Sequence, residues 1–180
     1  MGYLLILVAA VLYSIMPVLI RFLGSSGLPP MTQVFFRYLV AFFAAAVYFF
    51  LTSKTKIIIS KKSLPTFLIV TIYGYALTNV FYTYAILNTQ VGNALFLFFS
   101  FAIIAPLLGF FLLKDKLNTF NVIGLFMTLI ALFFLFQPNA ISTWKIGGIF
   151  ALIAAIGQAL YVVLRKKLTA YPANFMMLAN

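Results

Sequence analysis

The sequence predicts an all-α protein that crosses a membrane several times, and three observations lead to this prediction. Hydrophobic residues make up 66% of the 180-residue chain and charged residues only 7%, whereas a soluble domain has about 25% charged residues. The apolar segments are long enough to cross a bilayer, which takes roughly 20 residues per helix. Lysine and arginine gather in alternate connections between these segments. We therefore expect a polytopic membrane protein.

Turn-forming residues divide the chain into six apolar segments, and each segment is predicted to form one membrane-spanning helix. A seventh span is expected to start at Ala173, where only eight residues remain, too few to cross. The six predicted spans are Tyr3–Leu23, Met31–Leu51, Pro65–Leu87, Val91–Leu113, Thr119–Phe136 and Ile146–Leu164.

The basic residues predict the orientation of these spans, because Lys and Arg are retained on the cytoplasmic side. Arg21 and Lys145 lie toward one side of the predicted bundle. Nine of the twelve basic residues lie on the other side, namely Lys54, Lys56, Lys61, Lys62, Lys114, Lys116, Arg165, Lys166 and Lys167. The second, fourth and sixth spans are therefore expected to end inside the cell, with the N-terminus in the cytoplasm.

Two similar segments indicate an internal repeat. Gly2–Leu23 aligns without gaps on Gly147–Leu168 with seven identical pairs. The two copies are five spans apart, an odd number, so they cross the membrane in opposite senses. Inverted repeats are typical of secondary transporters, which bind their substrate between the repeats.

Composition excludes several other classes of function. The chain has no histidine or cysteine and a single acidic residue, Asp115, in a predicted loop. Disulfides and the usual zinc sites are thus excluded, and no metal or other cofactor is expected. Enzyme activity is not expected, since hydrolytic chemistry needs such side chains. The net charge of +11 would suit nucleic acid, but the cations lie between apolar spans, so no nucleic-acid partner is expected.

Arg37 is the most conspicuous polar residue, because it lies inside an apolar span. An arginine within the membrane costs about 2.5–3.5 kcal/mol on insertion scales, so it usually faces a cavity or a partner. The alternative is that its side chain extends to the outer boundary, about two turns away.

Further polar residues within spans are candidates for lining a solute pathway, although each could instead serve helix packing. Tyr75, Asn79 and Tyr82 share one face of the third span. Pro17 and Pro106 are expected to kink their helices and to gate the pathway. The full set of pathway candidates is Ser14, Arg37, Tyr75, Asn79, Tyr82, Asn93, Ser100 and Gln158.

Several short motifs resemble a known family in their order and spacing. They are Ala9–Ser14 followed by Arg21, Leu28–Pro30 followed by Arg37, Ala85–Val91, Phe111–Asn118 and Ala154–Tyr161. This pattern resembles the EamA-type domain of the drug/metabolite transporter superfamily. The resemblance implies two inverted five-helix repeats, of which residues 1–137 would be the first and residues 146–180 the start of the second.

Two departures from the family pattern affect the fourth helix. Lys114 stands where the family has a glycine, so we expect the helix to end differently. Ala102 stands where the family has a proline, and Pro106 follows one turn later.

The resemblance implies a secondary transporter that moves a small polar metabolite or amino-acid-like solute across a bacterial plasma membrane by alternating access. Its expected partners are the solute, the lipid bilayer, and either a second copy of the chain or a missing second half. The alternative is a truncated product that does not transport and serves as an assembly partner.

Overall fold

The computed structural model describes residues 2–52, 63–114, 119–136 and 146–168. This part of the chain is helical and contains no strand. We number its helices α1 to α6 along the chain. They are α1 (Gly2–Ser25), α2 (Pro30–Thr52), α3 (Leu64–Asn88), α4 (Val91–Leu113), α5 (Thr119–Phe136) and α6 (Ile146–Arg165), the last continued by a short 3₁₀ turn, Lys166–Leu168.

Five of these helices, α1 to α4 and α6, are long and apolar enough to cross a membrane. They confirm five of the six predicted spans and the multi-pass character of the chain. Helix α5 occupies the position of the predicted fifth span, and its crossing of the membrane stays a prediction. The start of a seventh span at Ala173 falls outside the described residues.

The ends of the helices follow from local sequence. Gly27 has φ +85° in the turn between α1 and α2, a conformation that glycine adopts without steric cost. Pro30 opens α2 and Pro65 lies in the first turn of α3, where the missing amide hydrogen of proline is harmless.

Helix α3 changes its hydrogen-bonding pattern along its length. Its first turn, Leu64–Leu68, is α-helical, the next nine residues, Ile69–Leu77, are π-helical, and Thr78–Asn88 is α-helical again. π-helical turns are rare and are frequently found at functional sites. The predicted third span is therefore a helix, although not a regular one.

Helix α4 consists of two segments, Val91–Phe99 and Phe101–Leu113, separated at Ser100. The second segment continues through Pro106, and α1 likewise continues through Pro17. Lys114 ends α4 with φ 57° and ψ 31°, the left-handed conformation that glycine favours at this position. Lys114 thus adopts a backbone geometry for which glycine is the usual residue, and the expectation that this helix end differs from that of the family stays a prediction.

Helix α6 lies at the centre of the described bundle, packed against α3 and α4. Its small residues make this possible, because they let two backbones approach closely. A methyl group at Gly147 would lie 2.8 Å from the Asn88 carbonyl carbon, and one at Gly74 would lie 3.1 Å from the Tyr161 Cα atom. Helices α1 and α2, by contrast, present mostly exposed apolar side chains.

Candidate functional site

The guanidinium group of Arg37 is partly buried, and the described residues include no acidic side chain that could pair with it. Its Nε and Nη2 atoms are buried and have no hydrogen-bond partner in the described part of the chain. One turn earlier on α2, Gln33 donates from Nε2 to the Leu28 carbonyl at 2.9 Å, while its buried Oε1 atom accepts no hydrogen bond from the described residues. Two adjacent turns of α2 therefore carry polar atoms whose hydrogen-bonding capacity is unused.

A cavity of about 600 Å³ lies between α1 and α2 beside these two side chains. Apart from Thr32, Gln33 and Arg37, its walls are apolar. The apolar wall residues are Leu12, Met16, Leu19, Ile20, Leu23, Leu28, Phe36 and Val40. Mostly apolar walls with a few convergent polar groups are typical of small-molecule sites.

Five tyrosines from four helices lie near Arg37 or continue from it toward α6. We call them the tyrosine cluster: Tyr13, Tyr38, Tyr75, Tyr82 and Tyr161. Tyr13, Tyr38 and Tyr82 lie near the Arg37 guanidinium. The guanidinium carbon lies 5.0 Å from the centroid of the Tyr38 ring, a distance at which cations interact with aromatic faces.

The cluster continues from α2 across α3 to α6. The ring centroids of Tyr38 and Tyr75 are 5.5 Å apart in an edge-to-face arrangement. The rings of Tyr75 and Tyr161 are also 5.5 Å apart. At the end of α6, Arg165 Nη1 donates to the Tyr161 hydroxyl at 2.8 Å. A cation–π contact, two contacts between aromatic rings and one hydrogen bond therefore form a continuous row from Arg37 on α2 to Arg165 on α6.

The π-helical segment of α3 determines where Tyr75 lies, because Tyr75 belongs to it. At the exit of this segment the backbone amide of Thr78 donates to the carbonyls of Tyr73 and Tyr75. The Thr78 hydroxyl donates to the Tyr73 carbonyl at 3.0 Å, and Asn79 Nδ2 donates to the Tyr75 carbonyl at 2.8 Å. These side-chain bonds satisfy carbonyls at the change from π to α geometry, and so stabilise the irregular helix.

The remaining predicted site residues differ in burial and in hydrogen bonding. Ser14 is exposed on α1 and donates to the Val11 carbonyl at 2.7 Å. Ser100 donates to the Leu97 carbonyl at 2.6 Å, where α4 is interrupted. Asn93 is buried on α4 and Gln158 is half-buried on α6. Of the predicted candidates, Arg37, Tyr75 and Tyr82 are brought together, whereas Ser14 and Ser100 bond within their own helices.

Sequence reasoning missed Tyr13, Tyr38, Tyr161 and Arg165 as members of this arrangement. The chain has ten tyrosines and 22 phenylalanines, so a tyrosine in a span does not stand out from aromatic packing residues. Arg165 was interpreted only as a marker of orientation. The signal that could have found Tyr38 is its position directly after Arg37.

Arg21 makes a second arginine contact that the sequence does not reveal. Its Nη1 atom donates to the carbonyls of Ile86 at 2.5 Å and Thr89 at 2.9 Å. These carbonyls belong to the end of α3 and the turn after it, where helix carbonyls lack amide partners and the helix dipole favours a cation. Arg21 therefore joins the end of α1 to the connection between α3 and α4.

Five apolar helices of membrane-spanning length, one of which carries Arg37 within its length, define a multi-pass membrane protein. The sequence profile of the EamA-like transporter family matches residues 1–137. The chain belongs to this family.

The chain is also similar to a curated protein from Clostridium kluyveri described as an uncharacterized transporter. The two are 25% identical over 177 residues, which cover 92% of this chain and 56% of the relative. The chain therefore spans about half the length of the relative that it matches. No solved structure matches the chain.

Proposed function

We propose that the chain forms one half of a secondary transporter that moves a small polar metabolite or amino-acid-like solute across the plasma membrane of a bacterium by alternating access. The observation that carries this proposal is the unpaired guanidinium of Arg37 beside the cavity between α1 and α2. Ionisable groups within the membrane are expensive, and they commonly mark substrate pathways.

The balance of free energies supports a pathway rather than a purely structural arginine. A structural arginine in a bilayer regains part of its desolvation cost through hydrogen bonds to carbonyls, as Arg21 does at the end of α3. Arg37 has buried nitrogens with no acceptor among the described residues. An unmet donor of this kind costs about 1–3 kcal/mol, and a bound solute with an acceptor group would offset that cost.

The contrast between α1 and α6 supports the proposed second, inverted repeat. Ala154 and Ala155 on α6 are fully buried, whereas the residues aligned with them, Ala9 and Ala10 on α1, are exposed. Small residues gain nothing from contact with lipid, but they allow close helix contact. We propose that a second five-helix unit, beginning within residues 146–180, covers this face of α1 as α3 and α4 cover α6.

The test is solute flux in proteoliposomes that contain the full natural protein. Arg37→Gln and Asn79→Ala are expected to reduce flux at least tenfold, because the first removes the charge and the second loosens the helix that positions Tyr75. Ser25→Ala is the control, since this exposed serine bonds only within its own helix and flux is expected to persist. Unchanged flux in both test variants, at normal protein amounts, would contradict the proposed pathway.

The alternative, a product that serves only as an assembly partner, predicts a different outcome of the same experiment. It predicts no flux from the wild-type protein under any solute gradient, together with crosslinks in membranes between this chain and another transporter subunit.

A further inference from the structure

Three members of the tyrosine cluster form a row with an arginine at each end, and this arrangement indicates which charge the solute carries. Arg37 lies about two turns inside α2, and Arg165 is the last residue of α6. Between them the side chains of Tyr38, Tyr75 and Tyr161 follow one another at ring distances of 5.5 Å. The row is therefore positively charged at both ends and carries phenol groups along its length.

The groups along this row suit an anion better than a cation or a zwitterion. Guanidinium groups only donate hydrogen bonds, and phenol hydroxyls can both donate and accept. No acidic residue lies among the described residues, and the only one in the sequence is Asp115. An ammonium group on a solute would meet repulsion from Arg37 without a carboxylate to offset it.

The cavity wall indicates what the anionic group is attached to. Eight of the eleven wall residues are apolar, and the polar ones, Thr32, Gln33 and Arg37, all come from α2. A strongly hydrated, multiply charged solute would lose its water against the apolar walls with little compensation. A solute with one anionic group and an apolar body would bury that body there.

We propose that the solute is an organic monoanion, a carboxylate on an apolar body, and that its carboxylate moves between Arg37 and Arg165 along Tyr38, Tyr75 and Tyr161. This inference rests on the proposed transport function, and within the solutes considered there it favours monoanionic metabolites over zwitterionic, amino-acid-like ones. Arginine suits the role because its planar fork binds a carboxylate through two parallel hydrogen bonds. In this proposal Arg165 is a second binding position for the carboxylate, at the side of the membrane where α6 ends.

The substrate class is tested with four compounds that share one carbon skeleton and differ in charge. They are 4-methylpentanoate, leucine, 4-methylpentanamide and 4-methylpentan-1-amine, applied to the full protein in proteoliposomes and to the detergent-solubilised protein in thermal-shift titrations. The monoanion is expected to bind and move about tenfold or more better than each of the others, because it alone gains a charge-assisted pair with Arg37 without an unpaired ammonium.

The residues are tested with variants matched for charge and position. Arg37→Gln is expected to weaken binding of 4-methylpentanoate about tenfold or more, and Arg37→Lys to weaken it less. Arg165→Gln and Tyr161→Phe are expected to slow flux at least fivefold while binding stays within about twofold, since they act at the far end of the row. Lys167→Gln is the control, because this exposed lysine is two residues away and flux should persist.

The outcomes separate the inference from the function on which it rests. Movement of leucine, the amide or the amine as fast as that of the monoanion would leave transport standing and overturn the monoanion proposal. Equal effects of Arg165→Gln and Lys167→Gln would overturn the second binding position. Flux of another solute, with neither binding nor flux of the monoanion, would overturn the inference and leave transport standing. Equal binding of the monoanion to the wild-type protein and to Arg37→Gln would also overturn the inference. Absence of both binding and flux for all four compounds would overturn the inference, whereas binding of the monoanion at Arg37 without flux would contradict the transport function.

Discussion

The close contact between α6 and α3 predicts that Gly157→Ala destabilises the bundle. A methyl group at this position would overlap the hydroxyl oxygen of Thr78, and would lie 3.3 Å from Thr78 Cβ and 3.4 Å from the Tyr73 carbonyl oxygen. Thr78 is only 3% exposed, and its hydroxyl is bonded to that carbonyl, so it cannot move aside freely. Overpacking of this kind costs about 1–3 kcal/mol.

A double-mutant cycle tests whether Thr78 is the group that the new methyl meets. Thr78→Ala alone should lower the free energy of unfolding by about 1 kcal/mol, because it removes one hydrogen bond. In the double variant the methyl of residue 157 enters the space that the hydroxyl leaves. The double variant should therefore be at least about 1 kcal/mol more stable than the sum of the single effects predicts.

The assay is denaturant unfolding of the purified protein in mild detergent, followed by far-ultraviolet circular dichroism. Gly124→Ala in α5 is the matched control, because beyond its own turn of helix no atom of the described residues lies within 4 Å of the added methyl group. It should leave stability unchanged or raise it by up to about 1 kcal/mol, the helix propensity of alanine over glycine. Equal stabilities of Gly157→Ala and Gly124→Ala, or additivity within about 0.5 kcal/mol in the cycle, would refute the described packing.

Three further predictions concern other parts of the bundle. Arg21→Gln should lower the free energy of unfolding by about 1–2 kcal/mol and speed amide hydrogen exchange at the end of α3, since its bonds to backbone carbonyls are lost; unchanged exchange there would contradict the contact. Lys114→Gly should raise stability by about 1 kcal/mol in the same unfolding assay by removing a β-carbon from a left-handed conformation, whereas Lys114→Ala should not. Ala10→Leu should reduce the folded amount of the full protein, measured by size-exclusion chromatography, as much as Ala155→Leu, and normal yields would argue against a covering second repeat.

The sequence predicted the parts of this fold that depend on local chemistry. Apolar length identified the spans, and glycine or proline identified the end of α1 and the starts of α2 and α3, because both act through the chain next to them. Arg37 could be singled out since a charged residue within a span is rare. These predictions needed no knowledge of which helices are neighbours.

The parts that the sequence did not predict depend on contacts between distant segments. Arg21 donates to backbone carbonyls of residues more than sixty positions away. Every residue has a backbone carbonyl, so the residue types in the sequence do not indicate which ones accept. The π-helical segment of α3 depends on Thr78 and Asn79 donating back to carbonyls. A regular helical period placed Asn79 on a face that would need partners, but its amide bonds to the backbone of its own helix.

The two similar segments now have a physical meaning beyond their sequence identity. The same pattern of small residues is buried on α6, where α3 and α4 cover it, and exposed on α1. Close packing of a small-residue face needs a neighbouring helix, so one pattern in two surroundings indicates that α1 lacks a neighbour that α6 has. The cavity beside Arg37 lies between α1 and α2, the two helices whose apolar side chains are mostly exposed. A second unit that packed on α1 would therefore adjoin the cavity, and the proposed solute site would lie close to the boundary between the two repeats.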